Sequence, residues 1–122
     1  MKITGFHHAS LMVTDLERAR SFYEGILGLV PSAKRPKMGF EGVWYEIGGQ
    51  QIHLLALPSP EFGLPKPEHG GRDRHVALAV ADLAAIKADL EGSGIPYTLS
   101  RSGRPALFCR DPDGNAFELI GS

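Results

Sequence analysis

Small or polar residues alternate with larger apolar residues in two segments of the chain, and the two segments are nearly the same. One runs from His8 to Val13 and the other from His75 to Val80, and each begins with a histidine. Side chains point alternately to the two faces of a β-strand. Each segment is therefore predicted to be a strand, with its apolar positions packed against a helix and its histidine on the opposite, open face.

A helical pattern follows each predicted strand. Apolar residues recur every three or four positions from Leu16 to Leu27 and again from Leu83 to Leu90, as on one face of an amphipathic helix. Asp15 and Asp82 directly precede these patterns. An aspartate in that position caps a helix by accepting a hydrogen bond from a free backbone N–H. Glycines follow both patterns and indicate where each helix ends.

Three strand-like runs follow each predicted helix, so the order strand, helix, strand, strand, strand is written twice. The runs cover residues 29–32, 42–47 and 51–57 in the first half and residues 97–101, 106–110 and 116–120 in the second. We predict an α+β fold with two βαβββ modules, at residues 1–57 and 72–122, joined by a Pro- and Gly-rich linker at 58–71. A helix covers one face of such a sheet, and the other must meet a second sheet or line a cavity.

Composition narrows the classes of function. The chain has 122 residues, and its 13 basic and 14 acidic residues give a formal charge of −1. This balance argues against nucleic acid or an anionic membrane as partner and leaves a small-molecule substrate. Cys109 is the single cysteine, so no internal disulfide forms, and we expect a cytoplasmic protein. Neither a signal peptide nor a membrane span is predicted.

Four residues of metal-ligand type occupy equivalent positions in the two repeats. His8 aligns with His75 on the first strands, and His53 aligns with Glu118 on the last strands. If a pseudo-twofold relates the repeats, the four side chains converge on one divalent cation. Three imidazoles and one carboxylate suit Fe(II), Mn, Co, Ni or Zn without selecting among them. The alternative is a buried polar network of the same residues without a metal.

Other polar residues carry plainer interpretations. His7 and His69 are predicted to be structural histidines, and Cys109 a buried structural thiol. Arg101 and Arg104 are interpreted as solvated loop residues, with contact to an anionic substrate as the alternative.

The segments HHASLMVTDLERARSFYEGILGL, RHVALAVADL and LFCRDPDGNAFEL resemble the vicinal oxygen chelate superfamily. That superfamily includes glyoxalase I, methylmalonyl-CoA epimerase, extradiol dioxygenases, fosfomycin-resistance enzymes and bleomycin-binding proteins. The resemblance covers nearly the whole chain as one domain. It implies paired βαβββ modules whose sheets curl around a metal-containing cavity, with the helices outside. It also implies metal ligands at His8, His53, His75 and Glu118, and a homodimer.

The resemblance favours a metal-dependent lyase or isomerase of glyoxalase I type that chelates vicinal oxygens of a small α-oxygenated carbonyl substrate. The metal would act as a Lewis acid, and Glu118 is the candidate catalytic base. The substrate, the metal and the use of glutathione or another thiol stay open, as does a site within one chain or between two.

Two alternative functions belong to other classes. An Fe(II) extradiol-type dioxygenase would use His8, His75 and Glu118. A non-catalytic drug or metabolite binding protein of bleomycin-resistance type would line an apolar groove with Trp44, Tyr45 and Phe40.

Overall fold

The two alternating segments each form the first strand of a sheet. The structure is a computed structural model that describes residues 2–122, and the chain divides between Pro60 and Glu61 into two compact units. The first unit contains β1 (His8–Val13), α1 (Leu16–Arg20), β2 (Gly42–Ile47) and β3 (Gln50–Ala56). The second contains β4 (His75–Ala79), α2 (Leu83–Gly92), β5 (Tyr97–Leu99), β6 (Ala106–Arg110) and β7 (Ala116–Ile120).

The sheet of the first unit has three strands in the order β1-β3-β2. β3 lies in the middle, parallel to β1 and antiparallel to β2. The strand predicted at residues 29–32 is wrong. That segment makes one isolated bridge, between Pro31 and Tyr45, and proline has no N–H with which to continue a ladder.

The helical segment of the first unit begins as an α-helix and continues as a π-helix. Asp15 caps α1 as predicted, accepting a hydrogen bond from the N–H of Arg18 at 3.1 Å. Residues 21–26 then continue as a π-helix. The segment buries Ala19, Phe22 and Tyr23, and the Tyr23 ring stacks on Tyr45 of β2 at a centroid distance of 5.8 Å.

A polar contact joins this helical segment to the sheet. The Tyr45 hydroxyl donates to Glu24 Oε2 at 2.8 Å, and Arg20 Nε donates to the same oxygen at 2.6 Å. The hydrogen bond from Arg20 lowers the pKa of Glu24. Tyr45 therefore faces the helix and is fully buried, so it does not line the apolar groove that the binding-protein alternative places at Trp44, Tyr45 and Phe40. Trp44 and Tyr45 are successive residues of β2, so their side chains point to opposite faces of the sheet.

The second unit forms a complete βαβββ module, with the sheet order β4-β7-β6-β5. Asp82 caps α2 as predicted, accepting from the N–H of Ala85 at 3.0 Å. β4 runs parallel to β7, and β6 is antiparallel to both β5 and β7.

The turn between β6 and β7 fixes the register of β7. The buried Asp111 carboxylate accepts hydrogen bonds from the N–H groups of Asp113 and Asn115 at 2.9 and 2.8 Å. Gly114 has a φ of 89°, a value that side-chain-bearing residues rarely adopt. In the resulting register Glu118 lies opposite Phe108.

The α+β class and the modular order are confirmed, with three strands instead of four in the first sheet. The module limits at 1–57 and 72–122, the linker at 58–71 and a metal-containing cavity stay predictions. Within residues 2–122, the helices are too short or too polar to cross a membrane.

Candidate functional site

The first strand of each unit has the two faces that the alternation predicts. In β1 the residues His8, Ser10 and Met12 are exposed, whereas the residues between them are at least partly covered. In β4 the exposed positions are His75, Ala77 and Ala79. Each histidine therefore lies on the open face of its own sheet.

Three aromatic rings stack on the open face of the first sheet. His53 of β3 lies between Trp44 of β2 and His8 of β1. Its ring centroid is 4.2 Å from that of Trp44 and 4.0 Å from that of His8. The interplanar angles are 4° and 16°, so the three planes are nearly parallel.

Hydrogen bonds engage one nitrogen of each imidazole in this stack. The Nε2–H of His53 donates to Gln51 Oε1 at 2.7 Å, and Nδ1 of His8 lies 2.8 Å from Nδ1 of His7. Nδ1 of His53 and Nε2 of His8 are then the remaining ring nitrogens. Imidazole binds metals through an in-plane lone pair, so these parallel rings must turn before both can bind one cation.

The environment of His53 favours its neutral form. Burial lowers the pKa of His53, and the neighbouring imidazoles of His8 and His7 lower it further, as does Arg35. The neutral imidazole is the form that binds a metal.

The second unit brings His75 and Glu118 together. Nε2 of His75 lies 3.3 Å from Oε1 of Glu118, whose side chain is only 4% exposed. The Nδ1–H of His75 donates to the backbone carbonyl of Asp73 at 2.9 Å. Such a bond from the second nitrogen is typical of metal-binding histidines, because it fixes the tautomer and the orientation of the ring.

The distance between His75 Nε2 and Glu118 Oε1 suits an ion pair with a protonated imidazole and also suits two ligands on one cation. With the hydrogen of the neutral ring on Nδ1, the Nε2 lone pair faces a carboxylate oxygen, and two acceptors repel each other. A proton or a cation between them makes the contact favourable. Two ligand atoms that each lie ~2.0–2.2 Å from a metal are about 3–3.5 Å apart, which matches the observed separation.

Arg104 is a residue of this site that the sequence did not reveal. Its NH2 group donates to Glu118 Oε2 at 2.6 Å, although its side chain is 54% exposed. The buried carboxylate is therefore paired with a guanidinium. The sequence analysis interpreted Arg104 as a solvated loop residue, with contact to an anionic substrate as the alternative, and did not assign it to Glu118. The sequence signal for such a pairing was Glu118, a carboxylate in the otherwise apolar strand β7, because a buried charge needs a partner of opposite charge.

Strand register supports the proposed alignment of the two repeats. His53 lies opposite Ser10 and Trp44, and Glu118 lies opposite Ala77 and Phe108. His53 and Glu118 thus occupy equivalent positions in the two sheets. On the first strand of each unit, the histidine lies two residues before the residue opposite them: His8 before Ser10, and His75 before Ala77.

The candidate metal ligands form one contacting pair in each unit: His8 with His53 in the first, and His75 with Glu118 in the second. Residues 2–122 contain no group of three or more His, Cys, Asp or Glu side chains arranged to hold a metal ion. The four-ligand site at His8, His53, His75 and Glu118 stays a prediction.

The plainer interpretations of Cys109 and His69 are confirmed. Cys109 is buried, and burial raises the pKa of its thiol to about 12. Nδ1 of His69 accepts a hydrogen bond from the N–H of Gly71 at the start of the short 3₁₀ helix Gly70–Arg72.

The sequence is similar to one protein family along almost its whole length. The sequence profile of the Glyoxalase/Bleomycin resistance protein/Dioxygenase superfamily matches residues 5–119. The chain is 30% identical to Glyoxylase I 4 of Arabidopsis thaliana, over 98% of this chain and 71% of that protein. It is 31% identical to a lactoylglutathione lyase of Haemophilus influenzae, over 93% of this chain and 89% of that protein. A mitochondrial methylmalonyl-CoA epimerase of Mus musculus is 28% identical, over 92% and 68%.

Solved structures share the fold. A glyoxalase family protein from Bacillus anthracis superposes with a TM-score of 0.73 at 24% identity, covering 100% of this chain and 98% of that one. The fosfomycin resistance protein FosX from Listeria monocytogenes gives a TM-score of 0.77 at 19% identity, covering 98% and 91%. At these identities the likeness concerns the fold alone.

Proposed function

Because the chain belongs to the Glyoxalase/Bleomycin resistance protein/Dioxygenase superfamily, we propose that it is a metal-dependent lyase or isomerase acting on a small α-oxygenated carbonyl compound. Among its relatives are a lactoylglutathione lyase and a methylmalonyl-CoA epimerase, both named for carbonyl substrates. These relatives support an enzyme of the lyase or isomerase kind.

The observation that carries the proposal is the contact between His75 and Glu118. The bond from His75 Nδ1 to the Asp73 carbonyl leaves Nε2 facing the carboxylate at 3.3 Å, an arrangement suited to a shared cation. His53, whose pKa is lowered by burial, and the adjacent His8 are the proposed ligands from the first unit. The donor set of nitrogen and oxygen atoms fits a first-row divalent metal and does not select one.

Each proposed site residue has its own role in the reaction. His75 and Glu118, with His8 and His53, would hold the divalent cation, which when bound would supply a Lewis acid for the oxygens of the substrate. Glu118 takes the proton from the carbon next to the carbonyl onto a carboxylate oxygen and returns it to the substrate. Burial of the Glu118 side chain limits the access of water to the carboxylate, and His75 Nε2 lies on the side of Oε1.

Solvent-deuterium exchange tests the proposed proton abstraction without knowledge of the product. Protein loaded separately with Zn, Ni, Co and Mn is incubated in D2O with a panel of 2-hydroxycarbonyl and 1,2-dicarbonyl compounds, and NMR follows deuterium at the carbon next to the carbonyl. Metal content is measured in the same samples. Asp89→Asn, which changes an exposed carboxylate on α2, is the matched control for Glu118→Gln.

Wild type and Asp89→Asn are expected to exchange the substrate proton, whereas Glu118→Gln is not. If Glu118→Gln keeps its metal but loses exchange, Glu118 is the base; if it loses both, Glu118 is first a ligand. Oxygen uptake with Fe(II) and a catechol would favour the dioxygenase instead. Tight ligand binding by metal-free His75→Ala would favour the binding protein, and absence of exchange with every compound would contradict the proposal.

A further inference from the structure

Both oxygens of the buried Glu118 carboxylate are engaged. Oε1 faces His75 Nε2 at 3.3 Å, and Oε2 accepts from the Arg104 guanidinium at 2.6 Å. Burying an ionised carboxylate without a positive partner is costly. Arg104 supplies a permanent positive charge next to this carboxylate.

Arg104 reaches Glu118 from the segment between β5 and β6, which lies on the surface. Its side chain remains 54% exposed although its guanidinium contacts a carboxylate that is only 4% exposed. The backbone N–H of Arg104 makes only a long hydrogen bond, 3.5 Å, to Ser102 Oγ. The neighbouring Gly103 has a φ of 86°. A long, half-exposed side chain in such a position can turn into solvent without disturbing the strands.

A divalent cation at Oε1 and the guanidinium at Oε2 would share the single negative charge of Glu118. The pair of His75 and Glu118 carries one negative charge when His75 is neutral, and a divalent cation already exceeds that charge. Keeping Arg104 in place would leave a third positive charge beside the same carboxylate, and like charges repel each other.

We propose that Arg104 is a displaceable counter-ion, which competes with the divalent cation for Glu118 and turns into solvent when the metal binds. The inference rests on the proposed metal site at Glu118. It assigns Arg104 a role in setting metal affinity, in addition to its role in stabilising the buried carboxylate of the metal-free chain.

Replacement of Arg104 by glutamine separates these two roles. The metal-free variant is expected to melt at a lower temperature than wild type, because Glu118 loses its positive partner. Its metal affinity is expected to rise about tenfold, since binding no longer breaks a charge-assisted hydrogen bond. Arg104→Lys, which keeps the charge but not the planar fork of donors, is expected to gain only about two- to threefold.

Arg101→Gln is the matched control, because it removes the same charge from an exposed arginine three positions away on the same segment. Isothermal titration with Zn2+ and Ni2+ gives Kd for each variant, and scanning calorimetry gives Tm with and without metal. If Arg104 acts only through the general field, both glutamine variants gain affinity equally, which would overturn the proposal.

The remaining results of the Arg104 experiment each have a separate meaning. A lower Tm with unchanged or weaker metal affinity in Arg104→Gln would mean a purely structural ion pair and overturn the proposal while leaving the metal site intact. Should Arg104→Gln not fold, Arg104→Lys carries the test, and its failure to gain affinity overturns the proposal. Absence of metal binding in wild type and every variant would overturn the metal site and this inference together.

Discussion

Replacing Asp111 by alanine removes the acceptor that holds the turn between β6 and β7. Its carboxylate is buried and accepts from the N–H of Asp113 at 2.9 Å, from the N–H of Asn115 at 2.8 Å and from Asn115 Nδ2 at 2.8 Å. This turn determines where β7 begins, and hence the position of Glu118 opposite Phe108.

The magnitude follows from the three hydrogen bonds. A hydrogen bond to a charged group contributes about 1.5–3 kcal/mol net, but bonds that share one acceptor are not additive, and the freed N–H groups recover some hydration. We expect Asp111→Ala to lose about 2–4 kcal/mol of unfolding free energy.

Urea unfolding followed by far-UV circular dichroism measures this loss. Asp89→Ala, an exposed aspartate on α2, is the control and should stay within about 0.5 kcal/mol of wild type. A loss below about 1 kcal/mol in Asp111→Ala would show that the turn keeps its shape without the carboxylate, contrary to the role assigned to Asp111.

Three further predictions concern other parts of the two units. Trp44 is the only tryptophan and lies parallel to His53, so binding of Ni2+ or Co2+ should quench its fluorescence in wild type but not in His53→Ala; equal quenching in both would contradict a ligand role for His53. Because burial raises the pKa of Cys109 to about 12, the folded protein should react with a thiol reagent at pH 8 at least about a hundredfold more slowly than urea-unfolded protein; comparable rates would show an accessible thiol. The hydrogen bond from Arg20 lowers the pKa of Glu24, so the stability that it contributes is complete above the ordinary value of 4.5 and is lost as pH falls through the lowered one. Glu24→Gln should therefore be about 1 kcal/mol less stable than wild type in urea at pH 7, and the difference should shrink in acid; a difference that grows in acid would reverse the assigned shift.

Much of the fold is readable in the sequence because the alternation and the helix caps are local signals. The open and covered faces of β1 and β4 follow from which residues alternate, and Asp15 and Asp82 cap the helices that they precede. The strand expected at 29–32 failed where Pro31 removes a donor. The π-helical continuation after Arg20 has no comparable local signal, since its apolar spacing also suits an α-helix.

The candidate site was readable only in part. Aligning the repeats identified the two pairs, His8 with His53 and His75 with Glu118, and each pair is in contact. The pairing of Arg104 with Glu118 depends on how the segment before β6 folds back, and spacing along the chain does not encode that. The parallel stack of His8 on His53 depends likewise on side-chain rotamers.

The proposed divalent cation is bound by two pairs of donors, His8 with His53 and His75 with Glu118. Elemental analysis of untagged protein after metal loading and dialysis tests it most directly, with wild type compared against His75→Ala. His69→Ala is the control, because that histidine caps the helical turn Gly70–Arg72 and is not a proposed ligand. Stoichiometric metal is expected in wild type and in His69→Ala, and its loss is expected in His75→Ala. Equal metal content in all three proteins, or none in any, would contradict it.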